Sequence, residues 1–151
     1  MIKAKPTKYC GIQFRSRTEA KYCMLFNMFD VAWTYESRRF PLPSGSYLPD
    51  FYLPDWNTWL EIKGPQPKQS ELQLCEELKL VTKANVVIAF GWPPTIWTLI
   101  SGSWVRGYSF CIINTKLRIS TAPGIPTKVY DEISQKIWSQ RRIRSPRRKK
   151  R

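Results

Sequence analysis

Behind Ser16, apolar side chains recur three and four residues apart, at Ala20, Cys23, Met24 and Met28, with Leu25 and Phe29 beside them. That period places them on one face of a helix, predicted to run from about Ser16 to Asp30. Ser16-Arg17-Thr18-Glu19 fits a capping box, in which the serine caps the first turn and Glu19 reaches back to the serine amide. The period then changes. Trp33 to Phe40 alternates aromatic and polar residues, which is strand patterning, and Pro41 to Gly45 turns the chain. Two β-rich runs follow, Ser46–Leu53 and Thr58–Lys63, joined by Pro54, Asp55, Trp56 and Asn57, and they are predicted to pair as a hairpin.

Pro65-Gln66-Pro67 ends that hairpin, and Leu72, Cys75, Leu78 and Val81 mark the apolar stripe of a second helix over about Lys68 to Lys83. Val86 to Phe90 is a continuous apolar run closed by Gly91, as expected of a strand buried on both faces. The order helix, three strands, helix, strand predicts an α/β core with a mixed central sheet flanked by helices. Beyond it the pattern weakens. Trp92 to Tyr108 is aromatic-rich, Ser109 to Asn114 reads as a strand, and Lys128 to Arg142 as a terminal helix with Val129, Ile133, Ile137 and Trp138 on one face. Met1 to Gly11 reads as a loose basic arm.

The hairpin carries charge where its pattern is otherwise apolar. Alternate strand residues share a face, so Asp50 groups with Leu48 and Tyr52, and Glu61 and Lys63 with Trp59. Burying two carboxylates and an ammonium costs desolvation, which a divalent cation bound by the carboxylates would offset.

Length and composition narrow the options. With 151 residues the chain suits one domain, here residues 1–140 with a core at about 14–91 and an extension at 92–140, followed by a tail over 141–151. No apolar run is long enough to span a bilayer, and Met1 to Gly11 holds no signal-like apolar stretch, so a cytoplasmic protein is expected, in the host cytoplasm if viral. Histidine is absent, which excludes Ser-His-Asp and Cys-His hydrolases and histidine–metal nucleases. Cys10, Cys23, Cys75 and Cys111 are too scattered for a local zinc motif and read as reduced thiols.

The net charge is +14; residues 141–151 contribute eight basic groups and no acid, so the rest still carries +6. A tail of that density self-repels and is expected to be disordered when free, and the balance points to a polyanion. Arg15, Arg17, Arg141, Arg142, Arg144, Arg147, Arg148, Lys149, Lys150 and Arg151 are the expected nucleic-acid contacts.

Phosphodiester hydrolysis without histidine needs carboxylates, a lysine and a metal ion that stabilises charge on the phosphate. Asp50 and Glu61 facing each other across the hairpin, with the Ile62 backbone carbonyl nearby, form a partial cage for Mg2+, for which Mn2+ could substitute. Lys63 lies on the Glu61 face, where its ammonium could position the water nucleophile, and Glu19 could add a ligand directly or through water. The bland readings are a simple cap for Glu19, a turn residue for Asp50, and an exposed ion pair for Glu61 and Lys63.

Tyr47-Leu48-Pro49-Asp50, followed by Leu60-Glu61-Ile62-Lys63-Gly64 and preceded by Arg15-Ser16-Arg17-Thr18-Glu19-Ala20, resembles the PD-(D/E)XK nuclease superfamily, in particular its phage-encoded endonuclease and Holliday-junction resolvase-like members. The resemblance covers about Phe14 to Gly91. It implies a restriction-endonuclease-like α-β-β-β-α-β core, Asp50 and Glu61 as metal ligands, Lys63 as catalytic lysine and Glu19 as the helix-borne acid. Gln66 and Lys68 lie where some members place a further phosphate contact. The expected activity is a metal-dependent DNA endonuclease, acting for example on branched or recombination and repair intermediates. The alternatives are a catalytically silent nucleic-acid-binding protein of the same fold and an RNA-directed basic protein that uses the aromatic segment for stacking. A homodimer is expected if both strands are cut, with Trp92 to Tyr108 as its candidate interface.

Overall fold

The computed structural model describes residues 6–144, with side chains to residue 139. Its chain is mixed α/β, three helices around a curled, mixed seven-stranded sheet. The first helix, α1 (Arg17–Met28), starts where its cap predicts: Ser16 Oγ accepts from the Glu19 amide at 3.1 Å. Ahead of it the expected loose arm is in part a hairpin, β1 (Thr7–Tyr9) with β2 (Ile12–Phe14), turned by Cys10 and Gly11 at positive φ.

The strand expected over Trp33 to Phe40 is interrupted. Only β3 (Thr34–Tyr35) joins the main sheet, because Glu36 takes a left-handed backbone (φ 46°) and donates its amide to the Asp50 carbonyl at 2.8 Å. Phe40 instead opens a separate ribbon, β4 (Phe40–Leu42) with β5 (Gly45–Tyr47), where a plain turn is expected. The run Ser46–Leu53 therefore splits in two, since Pro49 has no N–H to give a ladder and β6 (Phe51–Leu53) begins after it.

The central hairpin forms as patterned. β6 pairs antiparallel with β7 (Thr58–Lys63) in the register Phe51 to Leu60, and the connection is a 3-10 turn at Pro54–Trp56 closed by Asn57 in the left-handed region. The second helix, α2 (Gln69–Thr82), crosses over to β8 (Asn85–Phe90), which lies parallel to β7. The expected strand at Ser109–Asn114 is the second half of a longer one in a meander of β9 (Thr95–Ile100), β10 (Ser103–Ile113) and β11 (Lys116–Ser120), giving the sheet order β11-β10-β9-β8-β7-β6-β3. The terminal helix α3 (Thr127–Arg144) packs on α1.

Two cores follow from strand alternation. Leu60, Ile62, Val87 and Ala89 face α1 and α3, whereas Trp59, Val86 and Ile88 face α2 and the β4–β5 ribbon. The aromatic segment is used inside this chain. Trp97 is buried, Trp92 donates to the Tyr130 carbonyl at 2.9 Å, and Trp104 donates to Glu76 at 3.0 Å. All four cysteines are free thiols, and only Cys10 is exposed. No helix among the described residues is long and apolar enough to cross a membrane.

Candidate active site

Asp50 directly precedes β6, just outside the ladder that ends with the Phe51–Leu60 pair. Asp50 Oδ2 accepts from the Ile62 amide at 2.7 Å, so Ile62 meets Asp50 through its N–H. Glu19, Asp50 and Glu61 are buried, at 7%, 6% and 7% exposure. Glu61 and Lys63 do pair, but on an interior strand of the sheet and with Glu61 buried, not as an exposed pair on an edge strand. The Glu19 side chain also forgoes the second half of its capping box and accepts a hydrogen bond from the Tyr35 hydroxyl.

The acids fall into two sets that adjoin at Asp50. In the first, Glu19 from α1, Glu36 after β3 and Asp50 before β6 present carboxylate oxygens all within 4.8 Å of one another. Oxygen donors clustered in this way suit a hard divalent cation such as Mg2+. Glu36 has no counterpart in the sequence reading, where it is one polar position of an alternating strand. Its only signal there is an acid beside Tyr35 in the segment leading to the hairpin. Its carboxylate pairs with Arg15, Nε to Oε1 at 2.7 Å.

In the second set, Lys63 Nζ lies 3.3 Å from Glu61 Oε1 and contacts Glu71 Oε2 on the first turn of α2. Glu71 uses its other oxygen to accept from the Lys68 amide at 2.9 Å, and Tyr47 donates to Glu61 Oε2 at 2.6 Å. The sequence pattern assigns Glu71 to the outer face of α2, and nothing local in the chain marks it as a partner of Lys63. Arg15, Arg39, Tyr47, Glu61, Lys63 and Glu71 line a cleft of about 270 Å3.

Burial is the largest cause raising the pKa of each of the three expected acids. For Asp50 the neighbouring Glu61 and Glu19 carboxylates push further in the same direction, while the Ile62 amide opposes them. For Glu61, Lys63 and Tyr47 oppose the rise, and for Glu19 the Tyr35 hydroxyl does. Burial works against the Lys63 ammonium, but Glu61 and Glu71 outweigh it and its pKa is raised. Asp50, buried and pushed up further by two neighbouring carboxylates, is an electrostatic deficit that a cation beside it would relieve.

The expected nucleic-acid contacts are dispersed. Arg15 stands at the cleft, Arg17 lies over the Trp138 ring with its guanidinium carbon 4.4 Å from the centroid, and Lys68 precedes α2. Arg141, Arg142 and Arg144 belong to the last turns of α3, and Arg147, Arg148, Lys149, Lys150 and Arg151 lie outside the described residues. Arg39, absent from the expected set, reaches the cleft and donates from Nη1 to Ser46 Oγ at 3.2 Å.

No protein-family model matches this chain, and no curated protein matches it.

Proposed function

We propose that this chain is a metal-dependent DNA endonuclease that hydrolyses phosphodiester bonds. The observation that carries the reading is the meeting of Asp50, Glu19 and Glu36 within 4.8 Å, with Glu61 and Lys63 reached through the adjoining strand. A divalent cation, when bound, lowers the pKa of a ligated water and offsets charge on the phosphate. Asp50 with Glu19 and Glu36 would hold it, and Glu61 and the Ile62 carbonyl are the ligands that the motif resemblance implies. The Lys63 ammonium, held by Glu61 and Glu71, would orient the water and bind a phosphate oxygen. Arg15 and Arg39 at the cleft, and the basic residues 141–151, would grip the sugar–phosphate backbone.

The order of α1, β3, β6, β7, α2 and β8 supports the restriction-endonuclease-like core that the motif resemblance implies, with β4–β5 as an inserted ribbon and β9–β11 as an extension. A second copy of the chain would supply the second cut of a duplex. A catalytically silent DNA-binding protein is the rival, favoured by the engagement of Lys63 with two carboxylates.

The test incubates the full chain with supercoiled plasmid, linear duplex, four-way junction, single-stranded DNA and RNA, in Mg2+, Mn2+ or chelator, beside Lys63→Ala and Glu61→Ala. Cleavage of DNA that needs the ion and fails in both variants is expected. Binding without cleavage in either ion, unchanged in Glu61→Ala, establishes the rival, and preference for RNA overturns the substrate class.

A further inference from the structure

Tyr35 is the residue through which the first acidic set is assembled. Its backbone pairs with Phe51, the residue after Asp50, and the next amide, that of Glu36, donates to the Asp50 carbonyl at 2.8 Å. One short strand thus delivers Glu36 beside Asp50. The phenol then reaches α1, where its hydroxyl donates to Glu19 Oε2. The phenol oxygen in turn accepts from the Arg15 amide at 3.4 Å, and the Arg15 guanidinium pairs with Glu36. The ring has little freedom to turn away, because its centroid lies 4.6 Å from that of Phe14 and 5.3 Å from that of Phe51. A carboxylate on a helix has several rotatable bonds, and fixing one of its oxygens fixes the direction of the other.

We propose that Tyr35 is a positioning residue of the candidate cation site, its hydroxyl holding the Glu19 carboxylate in place against Glu36 and Asp50. This rests on the reading of those carboxylates as a divalent-cation site. Tyr35 does not touch the cation or the phosphodiester; it acts through Glu19. The loss of such an outer partner weakens metal affinity while the ligands themselves stay in the chain.

The experiment measures Mn2+ binding to the full chain by calorimetry and by the loss of the free-ion paramagnetic resonance signal, for wild type, Tyr35→Phe, Glu19→Gln and the double variant. Phenylalanine keeps the ring between Phe14 and Phe51 and removes only the hydroxyl. Tyr35→Phe is expected to raise the Kd about 10- to 100-fold. In the Glu19→Gln background the same change is expected to have no further effect. A Tyr35→Phe Kd equal to that of wild type, or an equal loss in the Glu19→Gln background, overturns the proposal. In wild type labelled at tyrosine Cζ, the Tyr35 carbon resonance is expected to move on adding Mg2+ and to stay still in Glu19→Gln, a readout that does not depend on Tyr35→Phe folding. A resonance indifferent to Mg2+ in wild type overturns the proposal as well. Wild type that binds Mn2+ with Tyr35→Phe unaffected sinks this inference alone, whereas wild type that binds neither ion sinks the cation-site reading with it.

Discussion

Tyr47 donates to Glu61 Oε2 across 2.6 Å, joining the β4–β5 ribbon to the central strand β7 in the core beneath α2. Both side chains are buried, so the hydroxyl is part of what makes an ionised Glu61 tolerable there. Tyr47→Phe keeps the ring and removes that donor, and it is expected to cost about 1–3 kcal/mol of stability at neutral pH. Urea denaturation measures it, and an unchanged midpoint contradicts the account.

The raised acids make stability depend on pH. Glu19, Asp50 and Glu61 hold protons more tightly folded than unfolded, so their contribution is most favourable below the ordinary carboxylate range and is lost as pH rises through the folded values. At neutral pH the metal-free chain carries the cost of burying these charges. Asp50→Asn removes one of them while its carbonyl can still accept from the Ile62 amide. In chelator at pH 7 the variant is expected to melt above wild type, with the gap closing below about pH 4. Thermal melts across that range check it, and an Asn variant less stable throughout goes against it.

Glu71 ties Lys63 to the start of α2 by using both oxygens, one on the Lys63 ammonium and one on the Lys68 amide. Glu71→Ala frees the ammonium to drift, and the plasmid-nicking rate in saturating Mg2+ is expected to fall about 10- to 100-fold with little change in DNA affinity. Glu71→Gln, which keeps one oxygen able to accept, should recover part of the rate. Equal rates for Ala and wild type would remove Glu71 from the site.

Arg39 is exposed at the cleft and is expected to contact a phosphate. Arg39→Ala should weaken DNA binding about equally for all sequences and reduce the slope of log affinity against log salt by about 1. Fluorescence anisotropy at several salt concentrations measures both, and an unaltered slope places the backbone elsewhere.

The two helices and the hairpin of the core were legible because each is specified locally. The Ser16 cap, the apolar stripes of α1 and α2, the turn residues 54–57 and the apolar run of β8 all act within a few residues of chain. The break at Glu36 was not legible, since its left-handed backbone is held by the carbonyl of Asp50, fourteen residues on. Nor was the ribbon ahead of Pro49, which depends on β5 finding β4. The meander hid for a different reason. Ser101-Gly102 and Asn114-Thr115 make its tight turns at positive φ, and only the first pair has ordinary turn composition.

Glu61 and Lys63 share one face of β7, so the alternation of strand residues suffices to bring that pair together from sequence, whereas Asp50 meets β7 at the Ile62 amide. Glu19 could be nominated because a cap places it in the first turn of α1. Which carboxylates meet was decided by tertiary structure alone. Glu36 joins Glu19 and Asp50 through the pairing of β3 with β6, and Glu71 joins Lys63 through the crossover of α2. Both depend on elements brought together by the packing of the two cores, and no local period or spacing encodes a contact made that way.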